Sequence, residues 1–320
     1  NTKILYMSIW KRKPLNLLLE EASESEKGLK KTLTASGLTA LGVGAIIGAG
    51  LFSITGMAAA TNAGPAITIS FIVAAIGCVF AGLCYAEFSS MIPVAGSAYT
   101  YSFATMGEFV AWIIGWDLVL EYAVGAATVS ISWSRYLGKF LSGYGIHIDD
   151  AYMLSPFEGG IINVPAVLIV MVMSLILIRG TKESAFVNGI IVMLKVTVVL
   201  VFIALGWQYI RPENYTPYIP ANTGSFGEFG FSGIIRAAAI VFFAYIGFDA
   251  VSTAAQEAKN PKRDMPIGIL LSLGICTVLY ILFAHVMTGV VNYSAFAGAD
   301  GIAPVAIAID NMGHADASGM

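Results

Sequence analysis

Gly42-Val43-Gly44-Ala45-Ile46-Ile47-Gly48-Ala49-Gly50 and Phe243-Ala244-Tyr245-Ile246-Gly247-Phe248-Asp249 are apolar stretches that a regular helix crosses only with difficulty. The first places four glycines in nine residues. Each glycine weakens a helix by up to about 1 kcal/mol relative to alanine. The second sets a glycine and a carboxylate in the middle of an apolar run. A helix broken inside a bilayer frees N–H and C=O groups at the midplane. The N–H groups can hold a carboxylate and the C=O groups an ammonium. Glycine-interrupted spans at corresponding places in two halves of a chain point to a transport site. Glycines at Gly44 and Gly48 also have the spacing that permits close helix packing, which is the plainer reading of the first stretch.

The surroundings of both stretches are those of a membrane protein. Of 320 residues, 57% are hydrophobic and 12% charged, and the mean hydropathy is +0.79. A soluble domain carries about 25% charged residues. Apolar stretches run at 35–62, 66–92, 108–138, 163–178, 186–208, 231–256 and 267–291. Each approaches the ~20 residues that cross a ~30 Å hydrocarbon core. None alternates in the manner of a barrel strand, so helices are expected. Seven spans are therefore expected, with residues 302–320 as a possible start of an eighth. A net charge of −3 and the lack of a basic stripe interleaved with aromatics give no sign of nucleic-acid binding. Cys78, Cys84 and Cys276 all fall in apolar stretches and form no C-x-x-C pair, as suits small core residues. No metal-binding motif of the H-E-x-x-H kind occurs, and no cofactor is expected.

Lys3, Lys11, Arg12, Lys13, Lys27, Lys30, Lys31, Arg179, Lys182, Lys259, Lys262 and Arg263 fall on the side of the N-terminus, against Arg135, Lys139 and Arg211 on the other. That bias predicts a cytoplasmic N-terminus. Residues 1–31 are charged and are expected to lie along a membrane surface or be partly mobile.

Charges within the apolar stretches need a reason, because each costs at least about 2.5–3.5 kcal/mol at mid-bilayer. Lys195 stands about ten residues, or ~15 Å, into its stretch. It loses hydration there, which suits it to carrying a proton. The plainer reading is a lysine that snorkels or pairs permanently with a carboxylate. Glu121 is ~20 Å into the third stretch, with Asp117 one turn earlier on the same face. Glu121 can read a cationic side chain or make a structural contact. Asp249 stands where a cap of the following half-helix is expected. Glu87 reads as structural and Arg236 as a snorkelling residue.

GVGAIIGAGLF at 42–52, YAEFSSMIPVAGSAYTYSFATMGE at 85–108, GWDLVLEYAVGAA at 115–127 and FFAYIGFDAVSTAAQEAKNPKRDMPIGI at 242–269 together resemble the amino acid–polyamine–organocation superfamily. Within it the chain is similar to the cationic amino acid transporter branch, and to bacterial proton-coupled members. The resemblance implies an all-α integral membrane protein with the inverted-repeat fold of the sodium-coupled leucine transporter, helices 1 and 6 broken. It implies a cytoplasmic segment 1–34, a first five-helix repeat 35–208, an extracellular loop 209–230, and the start of a second repeat over 231–320. That second repeat is expected to be incomplete, since relatives have ten or more spans. Carried over by motif, Gly48, Ala49 and Gly50 would offer N–H groups to a substrate carboxylate. Carbonyls around Ile46, Phe243, Ala244 and Ile246 would take the ammonium, and Phe243 would form part of an outer gate. Lys195 would approach the carbonyls of Gly44 and Ile47 in place of a coupling sodium ion.

The expectation is therefore a multi-pass plasma-membrane transporter of L-amino acids, cationic or broad in specificity. It would run proton-coupled symport by alternating access, with Glu121 as a selectivity residue, and it is not expected to be an enzyme. Its expected partners are the amino acid, the lipid bilayer and protons. Two alternatives remain: an exchanger without proton coupling, and an intramembrane serine protease. The second rests on Gly230-Phe231-Ser232-Gly233 and Ala284-His285-Val286-Met287-Thr288-Gly289, which would require Ser232 and His285 in contact.

Overall fold

The computed structural model describes residues 10–25, 31–179, 181–297 and 303–313, with the backbone alone for 21–25, 179 and 181–188. Lys3, Lys27, Lys30, residue 302 and residues 314–320 lie outside the described residues, as do the side chains of Arg179 and Lys182. The described chain is helical. Its one bridge outside helices is a parallel pairing of Leu33 with Ala258.

The helices are α1 (Leu15–Ser25), α2 (Ala35–Ile46), α3 (50–63), α4 (Ile67–Met91), α5 (Ser97–Thr105) and α6 (Glu108–Gly143), followed by α7 (Val164–Arg179), α8 (Thr181–Gly206), α9 (Gly230–Val241), α10 (Ala250–Thr253), α11 (Pro261–Val290) and α12 (Pro304–Asn311). Every apolar stretch of the sequence is helical over most of its length. The chain is a multi-pass membrane protein. Five helical runs are long and apolar enough to cross a bilayer, and Ala35–Ile46 and Val164–Ile178 are shorter apolar helices. One of the five, Gly50–Met91, turns at Gly64-Pro65 between α3 and α4.

The observed boundaries depart from the expected ones where polar side chains enter a helix. α11 begins at Pro261, six residues before its apolar stretch. Its first turn is polar, and Asp264 accepts from the N–H of Asn260 at 3.1 Å, satisfying one of the donors that a helix start leaves over. α5 lies wholly between apolar stretches and was not expected. Its hydroxyls and aromatics give no apolar run.

The residues form two compact units. The first comprises 1–46, 79–124 and 246–274. Small residues let its helices approach: a Cβ on Gly42 would lie 2.9 Å from Val251 Cγ2, and one on Gly268 2.7 Å from Leu38 Cβ. The second comprises 47–78, 125–245 and 275–320. Here polar side chains bridge helices. Asn62 donates to the carbonyl of Gly227 at 2.7 Å, and Ser70 to that of Ile234 at 3.0 Å. Phe71, Tyr245 and Tyr280 pack as an aromatic trio with ring centroids 5.4 to 6.3 Å apart.

Candidate functional site

Both glycine-bearing stretches break. α2 stops at Ile46, the chain bends at Ile47 and Gly48, and α3 opens with π-type turns over Gly50–Ile54. The N–H groups of Leu51 and Phe52 both bond to the carbonyl of Gly48, at 3.1 and 3.3 Å. The N–H groups of Gly48, Ala49 and Gly50 precede this first bond. At a helix start the first N–H groups are the ones that lack an intrahelical carbonyl. α9 ends at Val241, a 3-10 turn covers Phe242–Tyr245, and α10 resumes at Ala250. Gly247 takes φ +112°, a conformation L side chains rarely adopt.

The breaks touch within each unit. In the second unit, a Cβ on Gly50 would collide with the backbone of Ala244. In the first, a Cβ on Gly247 would lie 2.7 Å from the carbonyl oxygen of Ala45. Gly48 differs from both, since a Cβ there would meet nothing within 4 Å. Sequence reading put Gly48 and Gly50 in one carboxylate niche. Gly48 faces open space, and the missing side chain of Gly50 makes room for the second break.

Lys195 extends from α8 to the first break, where its Nζ donates to the carbonyl of Ile47 at 2.7 Å. In an unbroken helix that carbonyl would accept from residue 51. Leu51 instead bonds to Gly48, and the amine satisfies the carbonyl left over. Gly44, the other expected carbonyl, belongs to the first unit, as do Ile46 and Ile246. Gly48, Ala49, Gly50, Phe243 and Ala244 belong to the second with Ile47 and Lys195.

The carbonyl of Ala244, expected to take an ammonium, already accepts from the hydroxyl of Tyr280 at 2.9 Å. Tyr280 is fully buried. Sequence reading missed it; the available signal was a phenol on an apolar helix, which needs a partner once buried. Ser53 and Ser132 share a buried hydrogen bond that was likewise not anticipated.

Of the intramembrane carboxylates, Asp249 is 4% exposed. It stands at the N-cap of α10 without a side-chain capping bond, contrary to expectation. Its Oδ2 accepts instead from the hydroxyl of Tyr122 at 3.3 Å. Glu121, beside Tyr122, is half-buried with no hydrogen bond among the described residues, while Asp117 is exposed. Glu87 and Arg236 are exposed too.

The protease alternative finds no support in the site's geometry. The hydroxyl of Ser232 interacts with Asn222, Gly227 and Phe229. The ring of His285 stacks on Tyr215 with centroids 4.7 Å apart. The two residues share no hydrogen bond among those described.

In the loop after α6, Glu158 pairs with Arg135 of that helix at 2.8 Å. Partial burial opposes ionisation of Glu158. The N–H and hydroxyl of Ser155, and then the Arg135 guanidinium, outweigh it and hold the carboxyl below its usual range.

The sequence model of the amino acid permease family matches residues 33–319. The chain is 49% identical to the branched-chain amino acid permease BcaP of Bacillus subtilis over 311 residues, covering 96% of this chain and 64% of that protein. It is 44% identical to the methylthioribose transporter of the same organism over 315 residues, covering 98% and 66%. It is 37% identical to human cationic amino acid transporter 4 over 271 residues, covering 84% and 42%. The chain thus spans about two thirds of the length of the first two relatives and less than half of the third. All three are named as permeases or transporters.

Proposed function

Because the chain belongs to the amino acid permease family, we propose that it serves secondary-active transport of L-amino acids across the plasma membrane, with the N-terminus in the cytoplasm. The observation that carries this reading is the meeting of two broken helices, Gly50 against Ala244, with open space at Gly48. A helix start with leftover N–H groups suits a carboxylate. The carbonyl of Phe243, in the same unit, would supply the opposite polarity for an ammonium. The proposed fold is the leucine-transporter-like inverted repeat, with seven spans and the start of an eighth in this chain. The proposed repeats are 35–208 and 231–320, joined by the outer loop 209–230.

We further propose proton symport by alternating access, with Lys195 as the carrier. Protonated, the amine donates to Ile47 and closes the first break. On losing its proton it remains able to donate, but without its charge it holds the carbonyl far less strongly. The break is then easier to rearrange. Exchange without proton coupling is the competing mode.

Substrate class follows the zwitterionic head, which the breaks suit irrespective of side chain. The relatives' names include branched-chain amino acids, cationic amino acids and methylthioribose, and Glu121 remains the candidate for reading a cationic side chain. The test is a binding panel on the complete protein, because a ligand that binds the native state raises its apparent stability by mass action. Stabilisation by leucine, valine, arginine or alanine supports the reading. Stabilisation by none of the common amino acids removes it.

A further inference from the structure

Residues 10–13 are fastened to the corner between α5 and α6. The N–H of Lys13 donates to the carbonyl of Phe103 at 3.2 Å, and that of Glu108 to the carbonyl of Lys11 at 3.1 Å. Gly107, at φ +104°, makes the corner; a Cβ there would lie 2.8 Å from the carbonyl oxygen of Trp10. Beyond the clasp, α1 sinks Leu18 (5% exposed) against Ile92 and Tyr101. This arm is a built part of the first unit.

What the arm presents outward is specific. Trp10 packs edge-on against Phe109, with centroids 5.8 Å apart. Phe109, Trp112 and Trp116 recur at three- and four-residue spacing, so they share one face of α6, and all three are exposed. An exposed aromatic face on an apolar helix marks contact with lipid, and tryptophans favour the headgroup level. Trp10 places the arm at the end of that face. Lys11 and Arg12 follow it and are exposed. On α1, Leu15 and Leu19 flank the buried Leu18 and are themselves exposed. By helical spacing, Asn16 and Glu20 fall on the opposite face together with the exposed Leu17. A tryptophan, two cations and a leucine edge close together in the chain match an interfacial amphipathic segment. The acids near by are Glu108, which opens α6, and Glu20; both are exposed.

We propose that residues 10–19 form a docking surface for the anionic phospholipid headgroups of the bilayer that holds the protein. Phosphates meet Lys11 and Arg12, while Leu15 and Leu19 enter the acyl boundary. Headgroup charge thereby sets how firmly the arm stays on the α5–α6 corner. This goes beyond transport and does not depend on the substrate.

The test uses the full chain in nanodiscs of phosphatidylcholine alone or with about one quarter phosphatidylglycerol, read by hydrogen exchange at the amides of residues 15–19. A basic residue near an anionic surface contributes about fivefold, so two contribute up to about 25-fold in protection. Anionic lipid should raise protection toward that value. Lys11→Gln with Arg12→Gln should abolish the gain, as should salt of about 1 M, which shortens screening to ~3 Å. Amides around Leu273 in α11 should stay unchanged, reporting an intact fold. Equal protection in both lipids overturns the proposal, and so does a full gain in the doubly substituted protein. Protection that rises only on adding a soluble acidic polypeptide would assign the surface to a protein partner and also overturn it.

Discussion

The amine of Lys195 lies 2.7 Å from the carbonyl oxygen of Ile47, the group that α3 leaves over when Leu51 bonds to Gly48 instead. A side chain on α8 thus completes the hydrogen bonding of a helix that stopped for its own reasons. That hydrogen bond joins α8 to the first break.

Lys195→Met keeps the length of the side chain and removes its proton. A one-unit pH gradient is worth about 1.4 kcal/mol per proton, enough for about tenfold accumulation. The complete protein in proteoliposomes should accumulate amino acid under such a gradient. The variant should bind amino acid yet equilibrate it without accumulation. Full pH-driven accumulation by Lys195→Met would remove the lysine from the coupling and favour the exchanger.

Gly48 and Gly50 should part company on substitution. Gly48→Leu enters open space, so the fold should hold while amino acid binding is lost. Gly50→Ala drives a methyl into the backbone of Ala244 and should cost on the order of 1–3 kcal/mol of stability, as overpacking does. Thermal unfolding with and without amino acid separates the outcomes. A stable Gly50→Ala protein, or normal binding by Gly48→Leu, would contradict the assignment.

Hydropathy was enough to find seven helical stretches, because lipid solvates apolar side chains on every face and leaves long runs in the sequence. Glycine clustering located both breaks, and the depth of Lys195 singled it out. What stayed illegible depends on three-dimensional partners. The packing of Gly50 against Ala244 depends on a partner far along the chain that the glycine pattern does not name. Asp249 looked like a cap because it precedes a helix, but no sequence signal directs Tyr122 toward it. α5 was hidden because its side chains are too polar to read as a span.

Glu158 gives the pH response of the loop between α6 and α7. Its carboxyl titrates below the usual range in the fold. Its contribution is therefore complete above the unfolded value near 4.5 and is lost as pH falls through the lower folded value. The side chain is 40% exposed, so solvent screening keeps the effect to about 1 kcal/mol or less. Glu158→Gln should lower stability slightly at neutral pH and flatten its decline in acid. An unchanged acid profile measured by thermal unfolding would show that the pair with Arg135 contributes nothing.

Tyr280 supplies the last prediction. Its hydroxyl is the donor that the structure gives to the carbonyl of Ala244, and the ring is buried in the trio with Phe71 and Tyr245. Tyr280→Phe keeps the ring and deletes the donor. A buried carbonyl left without its partner costs about 1–3 kcal/mol. Stability should fall by that amount in the protein without amino acid. If the substrate ammonium takes the vacated lone pair, bound amino acid should recover part of the loss, so ligand-induced stabilisation should be larger in Tyr280→Phe than in the parent. Equal ligand-induced stabilisation in the two proteins would place the ammonium away from Ala244 and leave Phe243 as its carbonyl partner in that unit.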